Sequence, residues 1–399
     1  MAMIPLQEPV SPRKAAIAAK QFALFALGFR PFYLLAALFS VIALPLWVLM
    51  LQGWLALPLP GIWWHAHEML FGFAVAVIVG FLFTAGRNWT GLPTPTGGAL
   101  AALAALWLAG RLALAFSASA RFALIDLAFL PAAAFALARV LWRAKSRRNY
   151  FVVVLLSVLT LANLAFHLAR LGVFSIDPLT PLHLALSLIV VLETTIGGRV
   201  IPGFTGSALR GVKIRQHPRL NQAAIAGTAL SLISWVLGAP ALWVTLAALS
   251  AAGLQVLRCA GWNPWATRRT PLLWILHLSH LWIPMGLVLI AAVQWDLVPR
   301  SAAIHAMAIG STGGLIIGMM TRTALGHTGR SLIAGPVEIG AYALIQLAVV
   351  SRVLTLVAIP AATLIGIHVA ATAWVLAFSL YFIRYLPWLV RARSDGQPG

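Results

Sequence analysis

The chain has a single cysteine, Cys259, and only eight carboxylates among 399 residues. One thiol excludes an intramolecular disulfide, a Cys-ligated iron–sulfur cluster and haem attachment through Cys-x-x-Cys-His, so any cofactor is held by other side chains. Charge is scarce as well: 9 % of residues are charged and 61 % hydrophobic. Soluble domains carry about 25 % charged residues, so a soluble enzyme is excluded. The scarcity is lopsided, with 28 Lys and Arg giving a formal charge of +20. In a soluble chain that imbalance would suggest nucleic acid. Here the cations fall between apolar runs, where they mark membrane orientation and contact anionic lipid, and no nucleic-acid partner is expected.

What the chain has in abundance is long apolar sequence. Runs at 31–51, 62–86, 98–117, 122–142, 150–173, 181–201, 221–238, 240–258, 271–293, 301–320, 337–358 and 360–386 read as twelve transmembrane helices. They fill the chain as one all-α membrane domain, 1–399, with a terminal segment over 1–25 and a tail over 388–399. The first run is too long, and its flank too free of an Ala-x-Ala type site, for a cleaved signal peptide. Basic residues alternate by loop. They comprise Arg13, Lys14 and Lys20 before the first span, Arg87 after the second, Arg143, Lys145, Arg147 and Arg148 after the fourth, and Arg210, Lys213, Arg215 and Arg219 after the sixth. Arg268 and Arg269, Arg322 and Arg330, and Arg391 and Arg393 continue the series, while the opposite loops are nearly bare and only Arg111, Arg121, Arg170 and Arg300 lie near that other surface. Positive loops stay in the cytoplasm, which places both termini there.

Ionisable groups inside apolar spans are costly and mark function. On this topology His65, His67, His167, His183, His305 and His368 lie toward the outer half of the membrane, His277 and His280 toward the middle or inner half, and His217 and His327 in inner loops. Neutral imidazole is a common ligand of haem iron and copper. The sharpest pattern is Trp63-Trp64-His65-Ala66-His67-Glu68. On a helix, positions two apart point to nearly opposite sides, so one helix would serve two metal centres; in extended chain both rings would face one metal. The plainer alternative is a set of interfacial anchors. His183 opens span six, His305 opens span ten and His167 closes span five; each is a ligand or a histidine bonded between helices. His277 and His280 share one face of span nine, a spacing suited to one metal or a proton path. Glu193 is a relay carboxyl or a partner of Arg199. Glu68 orients an imidazole or carries protons, Glu338 marks a proton entrance, and Arg352 is a buried cation suited to a haem propionate or another acid.

Spans two, six and ten, each opened by a histidine, are four helices apart. Each also ends near a Thr-Gly step: Thr90-Gly91, Thr205-Gly206 and Thr328-Gly329. This reads as a weak threefold repeat of four-helix units, an arrangement that resembles the three arcs of haem–copper oxidase catalytic subunits. The resemblance is architectural, because the paired histidines stand here on span two and span seven has none.

Five ordered motifs resemble the NnrS family. They are Gly28-Phe29-Arg30-Pro31-Phe32, Trp64-His65-Ala66-His67-Glu68-Met69-Leu70-Phe71-Gly72, Gly198-Arg199-Val200-Ile201-Pro202, Leu276-His277-Leu278, and Gly318-Met319-Met320-Thr321-Arg322 continuing through Gly326-His327-Thr328-Gly329-Arg330. The resemblance implies a bacterial inner-membrane protein with non-covalent b-type haem and copper or a second metal, acting in denitrification or nitric oxide stress. Its motif histidines map to His65, His67, His167, His277, His305 and His327; His183, His280 and His368 lie outside the motifs. The expected activity is that of a nitric oxide reductase-like oxidoreductase, with Glu68 and Glu193 as proton carriers and quinol or a soluble carrier as electron donor. The alternatives are a non-catalytic protein that binds nitric oxide or metal nitrosyls, and a proton-coupled transporter.

Overall fold

The computed structural model describes residues 21–397. Arg13, Lys14 and Lys20, with most of the 1–25 segment, lie outside the described residues. Twelve long helices follow in order: α1 Phe29–Leu51, α2 Gly61–Thr90, α3 Gly97–Phe116, α4 Ala120–Arg143, α5 Tyr150–Arg170, α6 Leu179–Ala208, α7 Pro218–Val236, α8 Ala241–Gly261, α9 Pro271–Val293, α10 Arg300–His327, α11 Pro336–Val357 and α12 Thr363–Leu389. Eleven are long and apolar enough to cross a membrane. The exception is α7, whose Arg219, Asn221 and Gln222 dilute its first turns and whose Thr228 and Ser231 are buried between its neighbours. The apolar runs therefore became helices where the sequence placed them, and the chain is an all-α protein built for a bilayer.

Local chemistry sets the ends. Pro218, Pro271 and Pro336 open α7, α9 and α11, where a fixed φ suits the first turn and no amide hydrogen bond is lost. Gly91, at φ 68°, ends α2 with its N–H on the Arg87 carbonyl at 2.8 Å, and Gly329, at φ 75°, follows α10. Gly206, the middle member of the Thr-Gly series, lies inside α6. The three steps are thus not structurally equivalent.

From α3 to α12 each helix packs on its successor, and α12 returns against α1. Within its most apolar stretch α2 is 83 % buried and α10 is 72 %, against 33 % for α1 and 39 % for α3, α8 and α12. Leu124, Phe135, Leu161, Leu246, Ile365 and Ile383 point outward. Hydrocarbon is the solvent in which such a surface costs nothing, since lipid tails are as apolar as the side chains themselves. The central helices share one irregularity. Both α2 and α10 widen into a π-helical segment immediately after a histidine, over Glu68–Ala74 in α2 and Ala306–Gly313 in α10. Such wide turns leave backbone carbonyls less regularly paired and are frequent at functional sites.

Candidate functional site

The first turns of α2, α6 and α10 meet at one end of the bundle. His65, His183 and His305 line a single cavity of about 360 Å³ there, walled mainly by apolar side chains including Trp47, Phe73, Ile304 and Trp374. The His305 Nδ1 lies 2.6 Å from the Ser301 carbonyl, which can only accept. Nδ1 therefore carries the proton, and Nε2 keeps its lone pair, the form that binds a metal. His65 is fixed differently, its ring stacked on Trp47 with centroids 4.0 Å apart. Arg352 reaches the cavity from α11 and is buried, with its NH1 lacking a hydrogen-bond partner. An apolar chamber with an oriented imidazole and an unsatisfied guanidinium fits a haem and its propionates: apolar walls for the ring, Nε2 for iron, Arg352 for a carboxylate.

His67 faces the other way. One residue past Ala66, it enters a buried polar cluster between α2, α3, α4 and α5. Its Nδ1 lies 2.9 Å from Glu68 Oε1, and its Nε2 lies 2.9 Å from Asn163 Oδ1 and 3.3 Å from Asp126 Oδ2. His167 Nε2 is 2.9 Å from the same Asp126 oxygen, and Asn163 Nδ2 donates to it at 2.9 Å. Arg111 bridges the two carboxylates, donating to Glu68 Oε1 at 2.7 Å and to Asp126 Oδ1. Arg170 donates through Nε to His167 Nδ1 at 2.8 Å and through NH1 to the Ala118 carbonyl at 2.5 Å.

Ligand atoms from His67, Asp126 and His167 lie within 4.8 Å of one another, close enough to share one ion. Glu68 on Nδ1 is the outer-shell partner that a metal-bound His67 would have. Hydrogen bonds also tie the cluster together without an ion, and they leave Glu68 Oε2, Arg111 Nε and Arg170 NH2 without a partner. His67 faces acceptors on both nitrogens, as an imidazolium does, and His167, accepting from Arg170, donates through Nε2 to Asp126. A cation entering here takes the place of two protons, one from each Nε2.

The remaining candidates are dispersed. Glu193 of α6 accepts from Ser311 in the π segment of α10 and lines a second cavity, about 90 Å³ and almost wholly apolar, on the arginine-rich side. Thr312 lines both cavities. Arg199, offered as its partner, instead reaches Asn149 at 3.4 Å and covers the Phe151 ring, and among the described residues no ion pair joins it to Glu193. His277 Nε2 is 2.9 Å from Thr205 Oγ1, His280 packs on Trp262, and His327 packs on Phe29 at the arginine-rich end. His368 contacts Gln52 at 3.3 Å on the exposed rim. Glu338 caps α11, its Oε2 accepting the Gly335 N–H at 2.8 Å, while its Oε1 accepts the Tyr385 hydroxyl at 2.9 Å.

The six histidines assigned to one side therefore divide into a cavity group, a cluster group and a rim residue. Asp126, Arg111, Asn163 and Arg170 were missed as site residues. A signal for two of them existed: Asp126 and Arg111 are charges interrupting otherwise apolar runs.

An all-helical, multi-pass architecture, with three histidines lining an apolar cavity and His67, Asp126 and His167 close enough to share one ion, defines a membrane protein with a candidate metal site. Residues 23–393 match the family model described as NnrS protein. The chain belongs to the NnrS family, which fits a role in the response to nitric oxide. No curated protein matches the chain.

Proposed function

We propose that the protein holds non-covalent b-type haem in the cavity between α2, α6 and α10, binds nitric oxide there, and reduces it. The observation that carries this reading is the cavity itself, where His65, His183 and His305 face one apolar chamber with Arg352. His305 Nε2 would hold the iron, with His65 lining the same chamber where nitric oxide binds, and Arg352 would hold a propionate. Bound haem supplies a metal that takes nitric oxide and passes single electrons to it.

The chain's own groups supply the rest. Apolar walls admit a small apolar gas and exclude water. Reduction of two molecules of nitric oxide to nitrous oxide and water consumes two protons and two electrons. Glu193, which lines the smaller cavity and accepts from Ser311, would hold the proton, next to Thr312, which lines both cavities. Electrons come from quinol or a soluble carrier in the bacterial inner membrane, with both termini cytoplasmic. Copper or a second metal would be held by His67, Asp126 and His167, oriented through Glu68.

That placement favours a second reading. The cluster lies on the opposite face of α2 from the cavity, so its metal and the haem would not form one dinuclear centre, which suits a non-catalytic nitric oxide binder.

Reduced-minus-oxidised spectra and metal analysis of the detergent-purified protein test the haem assignment. His65→Ala and His305→Ala should lose or shift the haem bands, whereas His277→Ala should keep them. A colourless, metal-free protein refutes it. Nitrous oxide formed steadily from nitric oxide with an electron donor separates the enzyme from the binder.

A further inference from the structure

At the arginine-rich end, away from both histidine groups, the α6–α7 loop, the first turn of α7 and the last turn of α8 enclose a cavity of about 440 Å³. Lys213, Arg215, His217 and Arg258 line it, and no carboxylate does. Its floor is the anomalous part. Arg258 is 3 % exposed, yet its hydrogen-bond partners are all neutral: the Thr194 carbonyl at 2.7 Å, Asn221 Oδ1 at 2.9 Å and Gln255 Oε1 at 3.4 Å. Its guanidinium also covers Trp262, 5.0 Å from the ring centroid. Among the described residues, no carboxylate lies within 4.0 Å of Lys213, Arg215 or Arg258. Buried charges are ordinarily paired, because a desolvated ion without a counter-ion costs several kcal/mol.

The walls are built rather than incidental. The loop is clipped to α8 by Arg215 N–H on the Gly261 carbonyl at 2.8 Å. Asn221 N–H bonds back to the His217 carbonyl at 2.9 Å, so α7 begins at the cavity, with Leu220 and Asn221 of its first turns lining it. A helix start adds partial positive charge of its own. Leu257, which also lines the cavity, is 63 % exposed and gives it an apolar outer edge. Gly198, from the α6 motif, leaves the space that the Arg258 guanidinium occupies: a Cβ there would overlap it.

We propose that this cavity binds a phosphate oxyanion, whose negative charge balances Arg258, a buried cation with neutral partners only, together with Lys213 and Arg215 at the mouth. A phospholipid headgroup and free phosphate share that chemistry, and the exposed Leu257 gives the acyl chains of a lipid somewhere to lie. The site is independent of haem and of nitric oxide chemistry.

The test uses the full-length protein, delipidated in neutral detergent, titrated separately with inorganic phosphate, with phosphatidylglycerol in mixed micelles, and with chloride at matched ionic strength. Thermal stability and isothermal titration are the readouts. Stabilisation by phosphatidylglycerol alone, at about one molecule per chain, assigns a headgroup; stabilisation by phosphate alone assigns a soluble anion, and both together assign the oxyanion generally. The double variant Lys213→Ala, Arg215→Ala, altered at the cavity mouth, should fold and bind about tenfold or more weakly. Arg258→Ala, whose side chain also packs the core, is the secondary variant. Stabilisation no greater than chloride gives, or unchanged affinity in the double variant, overturns the proposal.

Discussion

Asp126→Asn keeps the shape of the α2–α5 cluster and changes only its charge and donor pattern. In the native protein Asp126 receives Arg111 on Oδ1 and, on Oδ2, Asn163 and His167 at 2.9 Å each, with His67 Nε2 at 3.3 Å. An amide offers one accepting oxygen and turns an NH₂ toward groups that are themselves donors. Arg111 then keeps Glu68, at 2.7 Å, as its one carboxylate. Removing one partner of a buried ion pair costs about 3–5 kcal/mol, and the retained Glu68 puts the expected loss near the lower figure, about 3 kcal/mol. Equilibrium unfolding in mixed detergent micelles, followed by circular dichroism, reads this. Arg111→Met in the same background removes the stranded cation, so the double variant should be less destabilised than the sum of the singles by about 1–3 kcal/mol. If Asp126→Asn falls within about 0.5 kcal/mol of the parent, or the two changes add, the cluster is not the coupled network described, and the reasoning fails.

Other outcomes follow from the same contacts. Arg352→Gln should leave the fold intact and speed haem loss to a haem-scavenging globin, since the cation next to the cavity is gone; an unchanged loss rate counts against the propionate role. Glu193→Gln should retain nitric oxide binding and lose nitrous oxide formation, so equal turnover by the variant removes Glu193 from the proton route. Gly198→Ala places a methyl group in the Arg258 guanidinium and should destabilise by about 1–3 kcal/mol, as overpacked sites do. Gly91→Ala meets open space but keeps φ at 68°, so unfolding should show a loss of about 1–2 kcal/mol from backbone strain alone.

Some of the site could be read early and some could not, for reasons visible in particular residues. His65, His183 and His305 were legible because each opens a long apolar run, and an imidazole in hydrocarbon stands out against its neighbours. Their sharing of one cavity was not legible, since it depends on how three helices, more than a hundred residues apart in the chain, lean together. The opposite faces of His65 and His67 followed from helical rotation once the segment was known to be helical. The extended alternative stayed open until the structure placed both residues in the first turns of α2. Asp126 and Arg111 stayed hidden because each looks isolated in its own run, and a partner that neutralises it comes from a neighbouring helix.

By itself the sequence determined the solvent. Its apolar runs match a bilayer's thickness, its cations gather in alternate loops, and its one thiol restricts any cofactor to other ligands. These properties are one-dimensional, set by hydropathy and charge along the chain, and no packing alters them. Only the tertiary structure decided which buried groups meet. It split the histidines between an apolar cavity and a carboxylate cluster, gave Glu193 to Ser311 rather than to Arg199, and left Arg258 without a carboxylate partner. Those outcomes rest on distances of a few ångströms across helix interfaces. Hydrogen bonds and ion pairs act only over such distances, so their partners exist only once the helices are packed.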